Sequence, residues 1–161
     1  MCKQGDCAAC ATHSDCSATQ ICNYIQDNRG RCLSATGRQW DVFINKVTFP
    51  MYDSTGALWD PGGFPDPRIE VAVGGTVVGN ATFQNTYTVD RTGQSYTPIR
   101  ISLASETTTL DVLAYDEDLT SNDYADGARW PMSIGLARAY GYSGLLFENR
   151  VRVEFSIVPV P

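Results

Sequence analysis

Strict alternation of apolar and polar residues constrains this chain most. Residues 150–158 set Val151, Val153, Phe155 and Ile157 against Arg150, Arg152, Glu154 and Ser156. A period of two sends the two sets to opposite faces of a β-strand and does not fit the 3.6-residue period of a helix. Segment 68–73 repeats the pattern with Ile69, Val71 and Val73, and segment 98–103 with Ile99, Ile101 and Leu103. Residues 40–49 carry Val42, Phe43, Ile44, Val47 and Phe49 and stop at Pro50. Gly74-Gly75 is a hairpin signal between 68–73 and 76–78. Residues 80–89 are β-rich but polar, and 130–140 form a weaker run. Residues 110–115 are apolar on both faces and therefore predict a central strand. No amphipathic helix, internal repeat or low-complexity segment interrupts the pattern, and nothing β-like precedes Trp40. About eight short strands with turn signals between them predict an all-β, antiparallel β-sandwich.

The cysteines mark off a different region. Cys2, Cys7, Cys10, Cys16, Cys22 and Cys32 all lie in the first 32 residues, and none follows. A segment this short buries too little apolar surface to fold unaided, so an even number of cysteines predicts a disulfide-stapled head. The rival reading is a zinc site built on Cys7-Ala8-Ala9-Cys10, but a second CxxC is absent and His13 is the only histidine. Pairing among six cysteines has about fifteen solutions, which sequence does not decide. Cys2 also suits the lipid-modified N-terminal cysteine of a bacterial lipoprotein, which would leave an odd number for pairing. The expected organisation is a cysteine-rich segment over 1–33, a polar linker over 34–39 and the sandwich over 40–161.

Two acidic loops concentrate the chemistry. The first holds Asp60 and Asp66 within Trp59-Asp60-Pro61-Gly62-Gly63-Phe64-Pro65-Asp66-Pro67, just ahead of strand 68–73. The second follows strand 110–115 and holds Asp116, Glu117 and Asp118, with Asp123 and Asp126 expected in the same loop. Residues two apart on a strand share a face, so Asp116 and Asp118 point the same way. Carboxylates packed so densely repel one another unless a cation sits among them. An all-oxygen cage suits a hard divalent ion, above all calcium, which takes six to eight oxygens.

These residues carry a family resemblance. Asp60, five intervening residues, Asp66-Pro67 and then a strand resemble the first calcium loop of C2 domains. Tyr115-Asp116-Glu117-Asp118, followed by Asn122-Asp123 ahead of Gly127, resembles their third calcium loop. The resemblance covers roughly residues 40–160 and implies an eight-stranded C2-like sandwich, in the permuted topology in which the last strand closes the sheet. It implies calcium held by Asp60, Asp66, Asp116, Asp118 and Asp123, with further oxygens from the backbone near Trp59 and Glu117. Asp126 competes with Asp123 for the last position; Asn122-Asp123-Tyr124 is more similar to the family's Asn-Asp-aromatic run. The resemblance also places both loops at one end of the sandwich, where Phe64 and Leu119 become the residues to meet a membrane.

Other chemistries fit less well. Taken singly, the acidic stretches are surface turns, and Asp53 reads as an ordinary loop residue. Residues 112–120 mimic the first motif of haloacid-dehalogenase-like phosphatases, but that chemistry needs a later lysine and the last one here is Lys46. A glycosidase carboxylate pair is undetermined by these residues. An EF-hand fails because Ser121 stands where glycine is required and Gly127 where glutamate is. Asn80-Ala81-Thr82 is a glycosylation sequon of a kind that arises often by chance. Nucleophilic triads are excluded in practice by the single histidine.

Hydrophobic content of 43% suffices for a core, and 19% charged residues argue against disorder. The net charge of −6, with Lys3 and Lys46 the only lysines and no basic run, argues against a nucleic-acid partner. No apolar run is long enough to span a membrane. The expectation is a non-enzymatic, secreted, periplasmic or cell-surface protein whose leader or anchor has been removed. Calcium-dependent docking on anionic phospholipid is the leading function. The alternative is a calcium-stabilised structural or protein-binding module.

Overall fold

A computed structural model describes residues 10–11, 15–17, 20–23, 30–34, 36–53, 55–60, 62–102, 104–105, 108–117, 122–131, 143–146 and 151–160, with side chains except at 21, 23, 122–123, 126–131, 143–146 and 159. Cys2, Cys7, His13, Leu103, Asp118, Leu119 and the 132–140 part of the weaker run lie outside the described residues.

Two short strands, β1 (Gln20–Asn23) and β2 (Arg31–Ser34), pair antiparallel as a ribbon. This is β-structure ahead of Trp40, where the alternation showed none. Four residues are too few to display a period, and two disulfides supply the constraint instead: Cys10–Cys22 and Cys16–Cys32. Both bonds favour the stapled head over the zinc reading.

The sandwich starts at β3 (Gln39–Thr48) and continues through β4 (Pro67–Val73), β5 (Thr76–Thr82), β6 (Thr88–Asp90), β7 (Ile99–Ser102), β8 (Thr109–Glu117), β9 (Asn122–Pro131), β10 (Ser143–Leu146) and β11 (Arg152–Pro159). One sheet runs β10-β11-β3-β6, with β7 also on β3; the other runs β5-β4-β8-β9. β6 and β7 pair successive parts of the same side of β3, so they act as one interrupted edge strand. Counted so, the described residues form four strands in each sheet. The last strand, β11, pairs with the first, β3, from Arg152↔Thr48 to Pro159↔Trp40. This is the closure expected of the permuted topology.

Alternation explains the core. Trp40, Val42 and Ile44 of β3 are buried against Ile69 and Val71 of β4, Leu110, Val112 and Ala114 of β8, and Val153, Phe155 and Ile157 of β11. In β3 the buried set changes from even to odd numbers between Ile44 and Val47. A bulge absorbs the change, because Lys46 pairs Glu154 while Ile44 pairs Phe155. The extra residue, Asn45, is anchored: its amide donates to Ser156 Oγ (3.2 Å) and its Oδ1 accepts from Tyr96 (2.9 Å). Gly74 and Gly75 both have positive φ, at 58° and 80°, which a type I′ hairpin turn requires. β8 lies between β4 and β9, as an apolar central strand should.

Candidate metal centre at one end of the sandwich

The chain from β3 to β4 does not wander freely. Tyr52 and Leu58 form a β-bridge, and Asp53 Oδ1 between them accepts the backbone N–H of Thr55 (2.8 Å) and of Ala57 (2.9 Å). The Thr55 hydroxyl also donates to this carboxylate and, with those N–H groups, holds it below the usual aspartate range. Asp53 is thus a turn-former, as expected of a loop residue. Trp59 packs edge-on against Phe49 and donates its indole N–H to Pro50 O at 3.1 Å. An open apolar hollow beside it is lined by Pro50, Met51, Tyr52 and Gly56.

After Trp59 the chain turns at Asp60, whose carbonyl accepts from Gly63 N–H (3.2 Å). Gly62 takes a φ of 94°, a conformation that suits glycine. Phe64 is half exposed and leans edge-on against Tyr87 at 5.1 Å. The loop is then locked to the opposite elements. Pro65 O accepts Thr86 N–H (2.9 Å), and Asp66 O accepts Glu117 N–H (3.0 Å). Asp66 N–H donates to Asp116 Oδ1 at 2.7 Å, and Asp66 Oδ1 accepts Asn85 N–H. Asn85 has a φ of 50°, which asparagine tolerates better than most residues.

Asp116, only 1% exposed, ends the inward-facing row of β8 formed by Leu110, Val112 and Ala114. Cross-strand pairing sets it between Pro67 of β4 and Asp123 of β9. Asp123 and Asp126 therefore belong to a strand, β9, rather than to the loop in which sequence placed them. Asp126 stands opposite Ala114, and a bulge between Ala114 and Tyr115 lets Tyr124 pair Tyr115. Residues 122–126 conceal this strand because they lack apolar alternation of their own and are held by backbone pairing with Glu117, Asp116, Tyr115 and Ala114 of β8. The side chains of Asp123 and Asp126, and all of Asp118, lie outside the described residues.

Glu117 faces the other way. It accepts from Arg68 at 2.7 Å, while Arg68 also reaches Glu70 at 2.9 Å. The Glu117 hydrogen bond raises the Arg68 pKa, with Glu70 adding to it. The Glu117 side chain is thus committed to Arg68 on the sheet's outer face. This Arg68 pairing was not read from sequence, although the Arg68–Glu70 spacing on one strand face signals half of it.

Asp66 and Asp116 are brought together; Asp60 is on the same loop as Asp66. Their donor set is all oxygen, which fits a hard cation, and one hydrogen bond per oxygen leaves a carboxylate further acceptor capacity. Among the described residues, however, the only three metal-competent side chains that converge within 4.8 Å are Cys10, Cys16 and Cys22. Those sulfurs are engaged in disulfides.

A two-sheet sandwich with this topology and an acidic end defines a class. The fold is that of a C2 domain. It is similar to a solved C2 domain with a TM-score of 0.56 and 13% identity over 77% of this chain and 99% of that one. The C2A domain of plant Extended Synaptotagmin 1 is similar with a TM-score of 0.58 and 10% identity, over 77% and 95% of the two chains. The calcium-bound C2A and C2B domains of Extended-Synaptotagmin 2 give a TM-score of 0.58 and 8% identity over 77% of this chain and 46% of that one. No family model matches the chain, and no curated protein matches it by sequence.

Proposed function

We propose that this C2-like module binds calcium through its acidic end and docks, calcium-dependently, on an anionic membrane surface without catalysing a reaction. The observation that carries the reading is the lock between the two acidic stretches: Asp66 N–H on Asp116 Oδ1, with Asp116 buried at the end of β8. A buried carboxylate is costly unless it meets hydrogen bonds or positive charge. Asp60, Asp66, Asp116, Asp118 and Asp123 would hold the ion, with Asp126 as the alternative to Asp123 and carbonyls near Trp59 and Glu117 adding oxygens. Calcium, when bound, would supply positive charge for lipid phosphates, because Arg68, the described cation beside the site, is already engaged by Glu117 and Glu70. Two disulfides support an oxidising compartment such as a cell exterior or periplasm.

Loop apolarity favours a membrane partner. Besides Phe64, the side chains of Met51, Tyr52 and Leu58 on the same loop are exposed. Each such side chain is worth about 1.5–3 kcal/mol when fully buried. Among the described residues, the cations of the middle strands are already engaged. Arg91 lies over the rings of Phe83 and Tyr96, and Arg100 pairs with Asp41 at 2.9 Å. That engagement, with the net charge of −6, favours the second reading, a calcium-stabilised structural or protein-binding module, if lipid is ignored.

Sedimentation with phosphatidylserine-containing vesicles separates the two. Binding is expected at millimolar calcium and lost with chelator. Phe64→Ala with Leu119→Ala should weaken it several-fold at unchanged calcium affinity. A wild type that ignores vesicles at saturating calcium ends the docking reading.

A further inference from the structure

The cysteine head contains a sulfur cluster that the sandwich does not use. Cys10–Cys22 and Cys16–Cys32 are separate bonds, yet the Sγ atoms of Cys10, Cys16 and Cys22 lie within 4.8 Å of one another. Cys32 in turn stands directly opposite Cys22 in the β1–β2 register. Four sulfurs from two bonds therefore share one small volume.

Their access to solvent is unequal. Cys10 is 6% exposed and Cys22 0%, whereas Cys16 and Cys32 are half-buried. Gly30 closes over the buried bond. Its φ is 56°, its carbonyl accepts Cys10 N–H at 3.1 Å, and a Cβ there would lie 3.1 Å from Cys22 Sγ and 1.9 Å from Cys10 O. An attacking thiolate must reach a disulfide sulfur directly, so rate depends on access. External thiols therefore meet Cys16–Cys32 first.

We propose that the two disulfides form one exchange-coupled unit in which Cys16 is the internal relay that opens the buried Cys10–Cys22 bond. A dithiol reductant supplies the electrons. Its thiolate attacks Cys32 Sγ, the Cys16–Cys32 bond breaks, and the bonding pair leaves on Cys16 as a thiolate. The reductant's second thiol, as thiolate, resolves the mixed disulfide, releasing Cys32 as a thiolate and leaving the reductant as its cyclic disulfide. Cys16 then attacks Cys10 or Cys22. Attack on Cys10 forms Cys10–Cys16 and expels Cys22 as a thiolate; attack on Cys22 forms Cys16–Cys22 and expels Cys10. The second exchange leaves the number of disulfides unchanged. The two electrons of the reductant end on Cys32 and on the expelled cysteine, each of which takes a proton from solvent according to its pKa. The head is thereby a redox-sensitive clasp at the entry to the sandwich, since Leu33 of β2 packs against the sandwich core.

The test is limited reduction of the full chain with dithiothreitol at about pH 8.5, where an ordinary thiol is about half thiolate. Acid quenching, alkylation and peptide mapping by mass spectrometry follow. Cys2→Ser with Cys7→Ser serves as the background, so that neither contributes a thiol. A Cys10–Cys16 or Cys16–Cys22 linkage should accumulate before full reduction. In a Cys16→Ser, Cys32→Ser variant of that background, Cys10–Cys22 should open at least tenfold more slowly. Reduction that yields only Cys16 and Cys32 thiols, with no rearranged linkage, overturns the proposal whatever the variant does. So does an unchanged opening rate in a variant that keeps the native β-sheet signal.

Discussion

Single residues decide where the two sheets touch. Gly79 of β5 is one: a Cβ there would sit 2.7 Å from Ile99 Cγ2 and 3.3 Å from its Cγ1. Ile99 belongs to β7 on the facing sheet and is packed against the core. Gly79→Ala should therefore lower stability by about 1–3 kcal/mol, the usual cost of overpacking. Chemical denaturation measures it, and the cost of Gly79→Ala should shrink in a chain that also carries Ile99→Ala, because that change removes both γ-carbons the new Cβ would meet. An equally stable Gly79→Ala would mean that the sheets part at no cost. Nothing in sequence marked this glycine, since its constraint comes from a residue twenty positions away. Gly74-Gly75 was legible because its constraint is local.

At the scale of elements, the loop before β4 is shaped by a small turn rather than by packing. Asp53 accepts from Thr55 and Ala57 and is held below the usual aspartate range, first by the Thr55 hydroxyl. The folded pKa is depressed, so the turn's contribution to stability is complete above the ordinary aspartate value. It is lost as pH falls through the lower, folded one. The carboxylate is solvent-exposed, so the effect on global stability is small; the readout is local. NMR titration should place Asp53 below free aspartate, and Thr55→Val should move it back up. An Asp53 that titrates like free aspartate in the wild type contradicts the turn. β9 teaches the converse lesson. Asn122-Asp123-Tyr124-Ala125-Asp126 has no apolar alternation and reads as loop, but nine-residue pairing with β8 makes it a strand. Backbone hydrogen bonding to a strong central neighbour overrides a weak local preference.

At the scale of the molecule, we expect the acidic end and the cysteine head to contribute separably. Calcium should raise the melting temperature. An extracellular module binds at about 10⁻⁴–10⁻³ M, and calcium tenfold above that constant adds about 1.4 kcal/mol. Asp116→Asn should remove most of the gain, and a wild-type melting temperature indifferent to chelator ends the calcium reading. Reduction should open the head, while far-ultraviolet circular dichroism keeps its sheet signal because no cysteine lies beyond Cys32. Collapse of that signal on reduction would show instead that the head holds the sandwich together. Read alone, the sequence carried the all-β class, the inward rows of β4 and β11, the central place of β8, the glycine hairpin and the staple-rich head. Each is written in local periodicity, turn chemistry or cysteine crowding, which depend on neighbours a few residues apart. The three-dimensional fold was needed to show that Cys10 pairs Cys22 and Cys16 pairs Cys32, that β6 and β7 complete one edge, and that Asp66 donates its N–H to Asp116. Those facts join residues far apart in the chain, and their partners are set by how the sheets close.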